Sequence, residues 1–161
     1  MSTSGLLNLK SGDALIADIS DITATAAEVN TLSGGAAVQK FTETVAFGAF
    51  TDGGGAAGTY DLTAGTIPVG ARFMFYIITA LTGFAGDTSA VLDAGDGTDV
   101  DRYNGAAIDV FTTAANGIEV TAPGGVLYHD TAATVTLTIT TAADWGSVTA
   151  GSVTVEFYYM T

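Results

Sequence analysis

The sequence contains no cysteine, so disulfides, thiolate metal sites and cysteine nucleophiles are all excluded. It is almost as poor in bases: Lys10, Lys40, Arg72 and Arg102 stand against 17 acids, for a net charge of −13 in 161 residues. Four scattered cations cannot build the basic patch that a phosphate backbone demands, so nucleic acid is not an expected partner. The same charge argues against an anionic membrane surface. No run approaches the ~18 uninterrupted apolar residues of a spanning helix. Ser2 to Leu9 lacks the charged and long apolar regions of a secretory signal, so the chain is expected to be made and assembled in a cytoplasm, with no membrane partner. Charged residues make up only 13%, about half the usual share. Thr, Ser, Asn and Gly must therefore cover much of the surface.

What is present is apolar and unevenly placed. Hydrophobic residues make up 48%, enough for a core in one domain. No aromatic residue occurs before Phe41, and all 15 lie from Phe41 onward. Aromatics bury large areas, so the core is expected in residues 41–161 and residues 1–40 read as an arm. Within the arm, Thr25-Ala26-Ala27-Glu28 matches a capping box and Leu32-Ser33-Gly34 supplies a stop, which predicts one short helix of about two turns. A helix that short is unstable alone. Leu15, Ile19, Ile22, Ala26 and Val29 follow a 4-3-4-3 spacing, and Ile-rich a/d positions favour three-stranded packing. Against a coiled coil stand the poor helix propensity of Asp18 to Thr23 and the ease with which two heptads arise by chance. An extended arm docking on neighbouring subunits is the preferred reading.

From Phe41 onward the pattern is strands and turns. Phe41–Phe50 alternates, with Phe41, Val45 and Phe47 on one face. Thr51–Gly58 is a Gly-rich loop, and Ile67-Pro68-Val69-Gly70 is a turn after a strand near Tyr60–Leu62. Ala71–Leu81 is β-branched and aromatic, as in a central strand. Strands are expected near Thr88–Leu92, Ala106–Thr112, Gly117–Thr121 and Val126–His129. Thr134–Thr140 alternates strictly, with Val135, Leu137 and Ile139 inward and four threonines outward. Ser152–Met160 closes the chain, with Val153, Val155, Phe157 and Tyr159 on one face. The fold class is all-β: a single antiparallel jelly roll or β-sandwich of about eight strands behind the arm.

Candidate chemistry is sparse. Asp93, Asp96, Asp99 and Asp101 place four carboxylates in nine residues, the only cluster able to hold a hard cation such as Ca²⁺. The spacing fails the EF-hand pattern, and a single β-roll-like unit lacks the adjacent turn that shares its ligands. An Asp/Gly turn bonding its own amides is the plainer reading, so no metal or other cofactor is expected. His129 precedes Asp130, yet no G-x-S-x-G elbow occurs and no Ser-His-Asp set is compelling. Glu43 with Glu119 or Glu156 is the pair type that hydrolyses glycosides, but strand carboxylates more often sit on the solvated face. The chain is not expected to be an enzyme. Trp145, in the loop before the last strand, reads either as an interface anchor or as a plug at the end of the sandwich. Phe157-Tyr158-Tyr159 puts aromatics on both faces of that strand, and the outward one suggests cover by a neighbouring subunit.

Two stretches resemble virion proteins of tailed bacteriophages. Asp21–Leu32 (DITATAAEVNTL) is similar to a segment of phage fibre and head-decoration proteins, usually near the N-terminus. Ile67–Arg72 (IPVGAR), together with Asp93–Tyr103 (DAGDGTDVDRY) and the final SVTVEFYY strand, resembles small β-sandwich phage structural proteins. These motifs cover about 40 residues. The resemblance implies a homotrimeric capsid decoration (cement) protein on the outer surface of a virion. Its arm would grip the major capsid protein and neighbouring decoration subunits. The arm contacts expected on that reading are Leu6, Leu7, Leu9, Leu15, Ile16, Ile19, Ile22, Val29 and Leu32, with Trp145 as a further partner-binding residue. The alternative is a host-adhesion module, a head fibre or tail fibre or spike, binding cell-surface glycans through loops such as Asp52–Thr59 and Asp93–Asp101. Neither a receptor-binding tip domain nor a long shaft is recognisable in the sequence, which favours decoration.

Overall fold

Strict alternation of threonine with Val, Leu and Ile should make Thr134–Thr140 the middle of a half-buried sheet, and it does. The computed structural model describes residues 37–112, 117–123, 125 and 127–161. The expected helix over Thr25–Leu32 and the arm residues Leu6, Leu7, Leu9, Leu15, Ile16, Ile19, Ile22, Val29 and Leu32 lie outside the described residues. Among the described residues the strands are β1 (Val38–Ala46), β2 (Thr51–Asp52), β3 (Ala57–Ile67), β4 (Arg72–Ala85), β5 (Ala90–Gly95), β6 (Ile108–Asp109), β7 (Ile118–Val120), β8 (Leu127–Tyr128), β9 (Ala133–Thr141) and β10 (Ala150–Met160).

The pairing is that of one long hairpin rolled up. β1 pairs with β10, β3 with β9, β4 with β7 and β8, and β5 with β6, all antiparallel. Two further antiparallel contacts, β10 with β4 and β9 with β5, fold this nested ladder into two five-stranded sheets. The first sheet runs β1-β10-β4-β7, with β8 also on β4; the second runs β2-β3-β9-β5-β6. This is the connectivity of a jelly roll. The count exceeds eight because β7 and β8 lie in line along one edge of β4 as an interrupted strand, and β2 is a two-residue flap on β3.

Local sequence explains the strand ends. Phe47 does not continue the alternation of β1; Phe47–Ala49 turns as a 3-10 segment and delivers Phe50 to the core. Pro68 lacks an amide hydrogen and ends β3, and Gly70 takes φ 83°, which lets its amide reach the His129 carbonyl at 2.8 Å. Between the sheets, Val135, Leu137, Ile139, Val153, Val155 and Phe157 are fully buried, as the alternation requires. The core has an aromatic group at each end. Phe157 stacks on Phe41 and Tyr76 (5.2 and 4.7 Å) and meets Phe73 and Tyr103 at 5.8 Å. At the far end Phe50 gathers Tyr60, Phe84 and Trp145 within 6 Å.

Candidate interaction surface

Of the four aspartates weighed as a cation cluster, Asp96 is taken up by local bonding. Asp96 accepts from the Thr98 and Asp99 amides at 3.1 and 3.0 Å, and from the Arg102 guanidinium at 2.7 Å. Burial pushes its carboxyl up, but those donors outweigh it and hold the pKa below the usual value. Asp99 instead shares a hydrogen bond with Asp101, which raises its pKa, while burial and then the Asp101 charge raise that of Asp93. The loop is tied down from beneath by Asn104. Its side chain accepts from the Tyr76 hydroxyl and the Ala94 amide, and donates to the Leu92 carbonyl (2.8, 3.1 and 3.0 Å). Among the described residues no three His, Asp or Glu side chains gather as a metal centre.

The remaining chemical candidates are held apart. His129 is buried, with Nε2 3.5 Å from the Tyr103 hydroxyl. Burial, then the Arg102 charge, pushes its pKa down, so the ring is neutral near pH 7. Glu43 points inward from the edge strand β1. It accepts from the Tyr60 and Thr63 hydroxyls and the Ala64 amide, all on β3, at 2.9 to 3.1 Å. Burial alone would raise its pKa; those three donors lower it. Glu156 sits on the opposite, outer face of the same sheet, so Glu43 cannot converge with it. Trp145 is buried within the single chain, the position of a plug at the end of the sandwich. Its indole lies where a Cβ on Gly58 would stand, which is why residue 58 has no side chain.

The two outer faces of the sandwich differ chemically. That of the β3–β9 sheet presents Thr59, Asp61, Thr134, Thr136 and Thr138, with Thr136 donating to Asp61 at 2.6 Å. The Gly97–Val100 turn leans over it and leaves an open groove of about 230 Å³ lined by Thr59, Thr98, Val100, Thr136 and Thr138. That groove offers no aromatic platform. The face of the β1–β10–β4 sheet is built from three cross-strand rows: Val38–Met160–Arg72–Tyr128, Lys40–Tyr158–Phe75, and Thr42–Glu156–Ile77–Glu119. Phe75 and Tyr158 stack at 4.8 Å. Glu156 binds the Tyr158 hydroxyl at 2.6 Å and the Lys40 ammonium at 3.1 Å, and the two hold its pKa down. Val38 and Tyr128 remain 58% and 56% exposed. Sequence reasoning found Tyr158 by the aromatic run of β10. It missed Val38 and Tyr128, whose row forms only when four strands, β1, β10, β4 and β8, align.

These features define an acidic jelly-roll domain with one hydroxyl-coated face and one aromatic face. The same fold occurs in a chain of the cyanophage Pam1 capsid asymmetric unit, with a TM-score of 0.55 and 19% identity over 78% of this chain and 86% of that one. No family model matches the sequence, and no curated protein does. Among the described residues no helix is long and apolar enough to cross a membrane.

Proposed function

We propose that the chain is a structural component of a bacteriophage virion: a capsid decoration (cement) protein that binds the outer surface of the head as a homotrimer and stabilises the shell. The observation that carries this reading is the jelly roll it shares with a chain of a cyanophage capsid asymmetric unit. The phage-like motifs Asp21–Leu32, Ile67–Arg72 and Asp93–Tyr103 agree with it. The role needs no catalysis, which suits a buried neutral His129 and carboxylates tied into local hydrogen bonds. The residues ahead of β1 are the arm that engages the major capsid protein and neighbouring decoration subunits, and the sandwich from β1 onward stands on the shell. Contacts of about 1,600 Å² each, repeated around the head, oppose the outward pressure of packaged DNA. Assembly takes place in the cytoplasm of the bacterial host.

Copy number tests this directly. Quantitative mass spectrometry of purified particles, calibrated against the major capsid protein, is expected to find hundreds of copies per virion. A handful would instead identify a fibre or tail component, and none would remove the virion reading.

A further inference from the structure

In an Asn-Gly dipeptide the backbone amide of the glycine readily reaches the side-chain carbonyl before it, because glycine has no Cβ to obstruct the approach. The sequence holds two such pairs, Asn104–Gly105 and Asn116–Gly117. Asn104 lies among the described residues and is only 1% exposed. Its carbonyl oxygen accepts from the Tyr76 hydroxyl at 2.8 Å and the Ala94 amide at 3.1 Å. Its NH2 group donates to the Leu92 carbonyl at 3.0 Å, with an Asp93 carboxylate oxygen at 3.3 Å and the Ala106 carbonyl at 3.4 Å beside it. Gly105 is exposed and is not among the residues of positive φ. A Cβ on it would meet the Thr121 carbonyl oxygen at 3.6 Å, an ordinary contact. The fold therefore demands the amide at residue 104 but not the glycine at residue 105.

We propose that Asn104 is a spontaneous modification site gated by folding: it deamidates through Gly105 whenever the loop between β5 and β6 is open, and the product cannot re-form that loop. The step needs no reactant but water. The Gly105 amide nitrogen attacks Asn104 Cγ and gives up its proton, and the side-chain nitrogen leaves as ammonia, closing a succinimide. Water then opens that ring at either carbonyl, leaving aspartate or isoaspartate. The closed loop opposes the reaction in two ways. Ring closure requires the side chain to leave the hydrogen bonds that hold both its oxygen and its nitrogen, and burial keeps water from the ring. The product fits the site badly. An oxygen replaces the NH2 group opposite the Leu92 carbonyl and beside the Asp93 carboxylate. A carboxylate there donates nothing, meets a like charge and is buried without a partner. Isoaspartate also lengthens the main chain by one carbon, just after the Tyr103 and Asn104 amides have paired with the Ala94 and Asp101 carbonyls. A chain that stays open is thus retired irreversibly, whereas a closed chain keeps its amide.

Peptide mapping by mass spectrometry tests the proposal on the full chain, incubated at neutral pH with and without guanidinium chloride. In denaturant, residues 104 and 116 are both expected to show the mass gained when NH is replaced by O. In buffer, modification at residue 104 is expected to be on the order of 100-fold slower or more, the protection given by an open state about 2.7 kcal/mol above the closed one. Gly105→Ala is expected to keep the fold and, in denaturant, to slow reaction at residue 104 relative to residue 116 of the same chain. On dilution from denaturant, the refolded, protease-resistant fraction is expected to be depleted of chains modified at residue 104. Equal rates at residue 104 with and without denaturant overturn the gating. Reaction at residue 116 but not at residue 104 in denaturant overturns the site. Chains modified at residue 104 that refold as fully as unmodified ones overturn the irreversible loss.

Discussion

Asn104 shows how one side chain organises a loop. It is one of the buried polar side chains of the described fold, with His129, Thr138 and Thr141, and every polar atom of its amide is used. Asn104→Ala leaves the Tyr76 hydroxyl buried without its acceptor, which costs about 2–3 kcal/mol of unfolding free energy. Urea denaturation measures it. Tyr76→Phe with Asn104→Ala is expected to cost less than the two single changes added, because the orphaned hydroxyl is gone. The sequence carried no sign of this role: Asn104 follows the motif Asp93–Tyr103 and reads as one more loop residue until β4 and β5 place Tyr76 and Leu92 on either side of it. Trp145 was legible as important and ambiguous as to why. The deciding residue, Gly58, lies far away in sequence, and only strand pairing brings the two together.

At the scale of elements, β1 is an edge strand of nine residues, and long edges invite pairing with other chains. Glu43, an inward-pointing charge on that edge, counters this and at the same time clasps the first sheet to β3. Glu43→Ala is expected to lower stability by about 1–2 kcal/mol. It should also speed amide hydrogen exchange over Val38–Ala46 more than over β9, which mass spectrometry resolves. The strands themselves were readable wherever one face is buried: β9 and β10 follow their alternation, except that Thr138, expected outward, is buried. β1 begins at Val38, ahead of the aromatic that announced it, because Val38, Gln39 and Lys40 pair with Met160, Tyr159 and Tyr158 without being buried. β2, β6 and β8 are two residues each, too short for any periodicity to register. The aspartates of 93–101 showed in the sequence as a cluster of charge; that Arg102 and two backbone amides take up Asp96 is a matter of loop geometry.

For the molecule as a whole, His129 makes acid weaken the fold before the carboxylates of lowered pKa lose their charge. His129 has a folded-state pKa depressed by burial, so below its unfolded value of ~6.5 the unfolded chain binds the proton more readily than the folded one. Stability therefore rises with pH through this window and is fully present above it. Asp87, held at about 2 first by the Ala143 amide, and Glu43 and Asp96, also lowered, act only below about pH 4.5. Thermal unfolding of the wild-type chain and His129→Gln, compared between pH 7.5 and 5, separates the histidine's part: the variant is expected to flatten the decline. The nested ladder carries one more consequence. β10 is synthesised last, yet it is the spine between β1 and β4 and supplies Phe157 to the aromatic centre. A nascent chain still lacking it has an unclosed sheet, and the slow, long-range zippering typical of such topologies can begin only once β10 has emerged from the ribosome. Emergence of β10 is therefore the checkpoint for closing the sandwich.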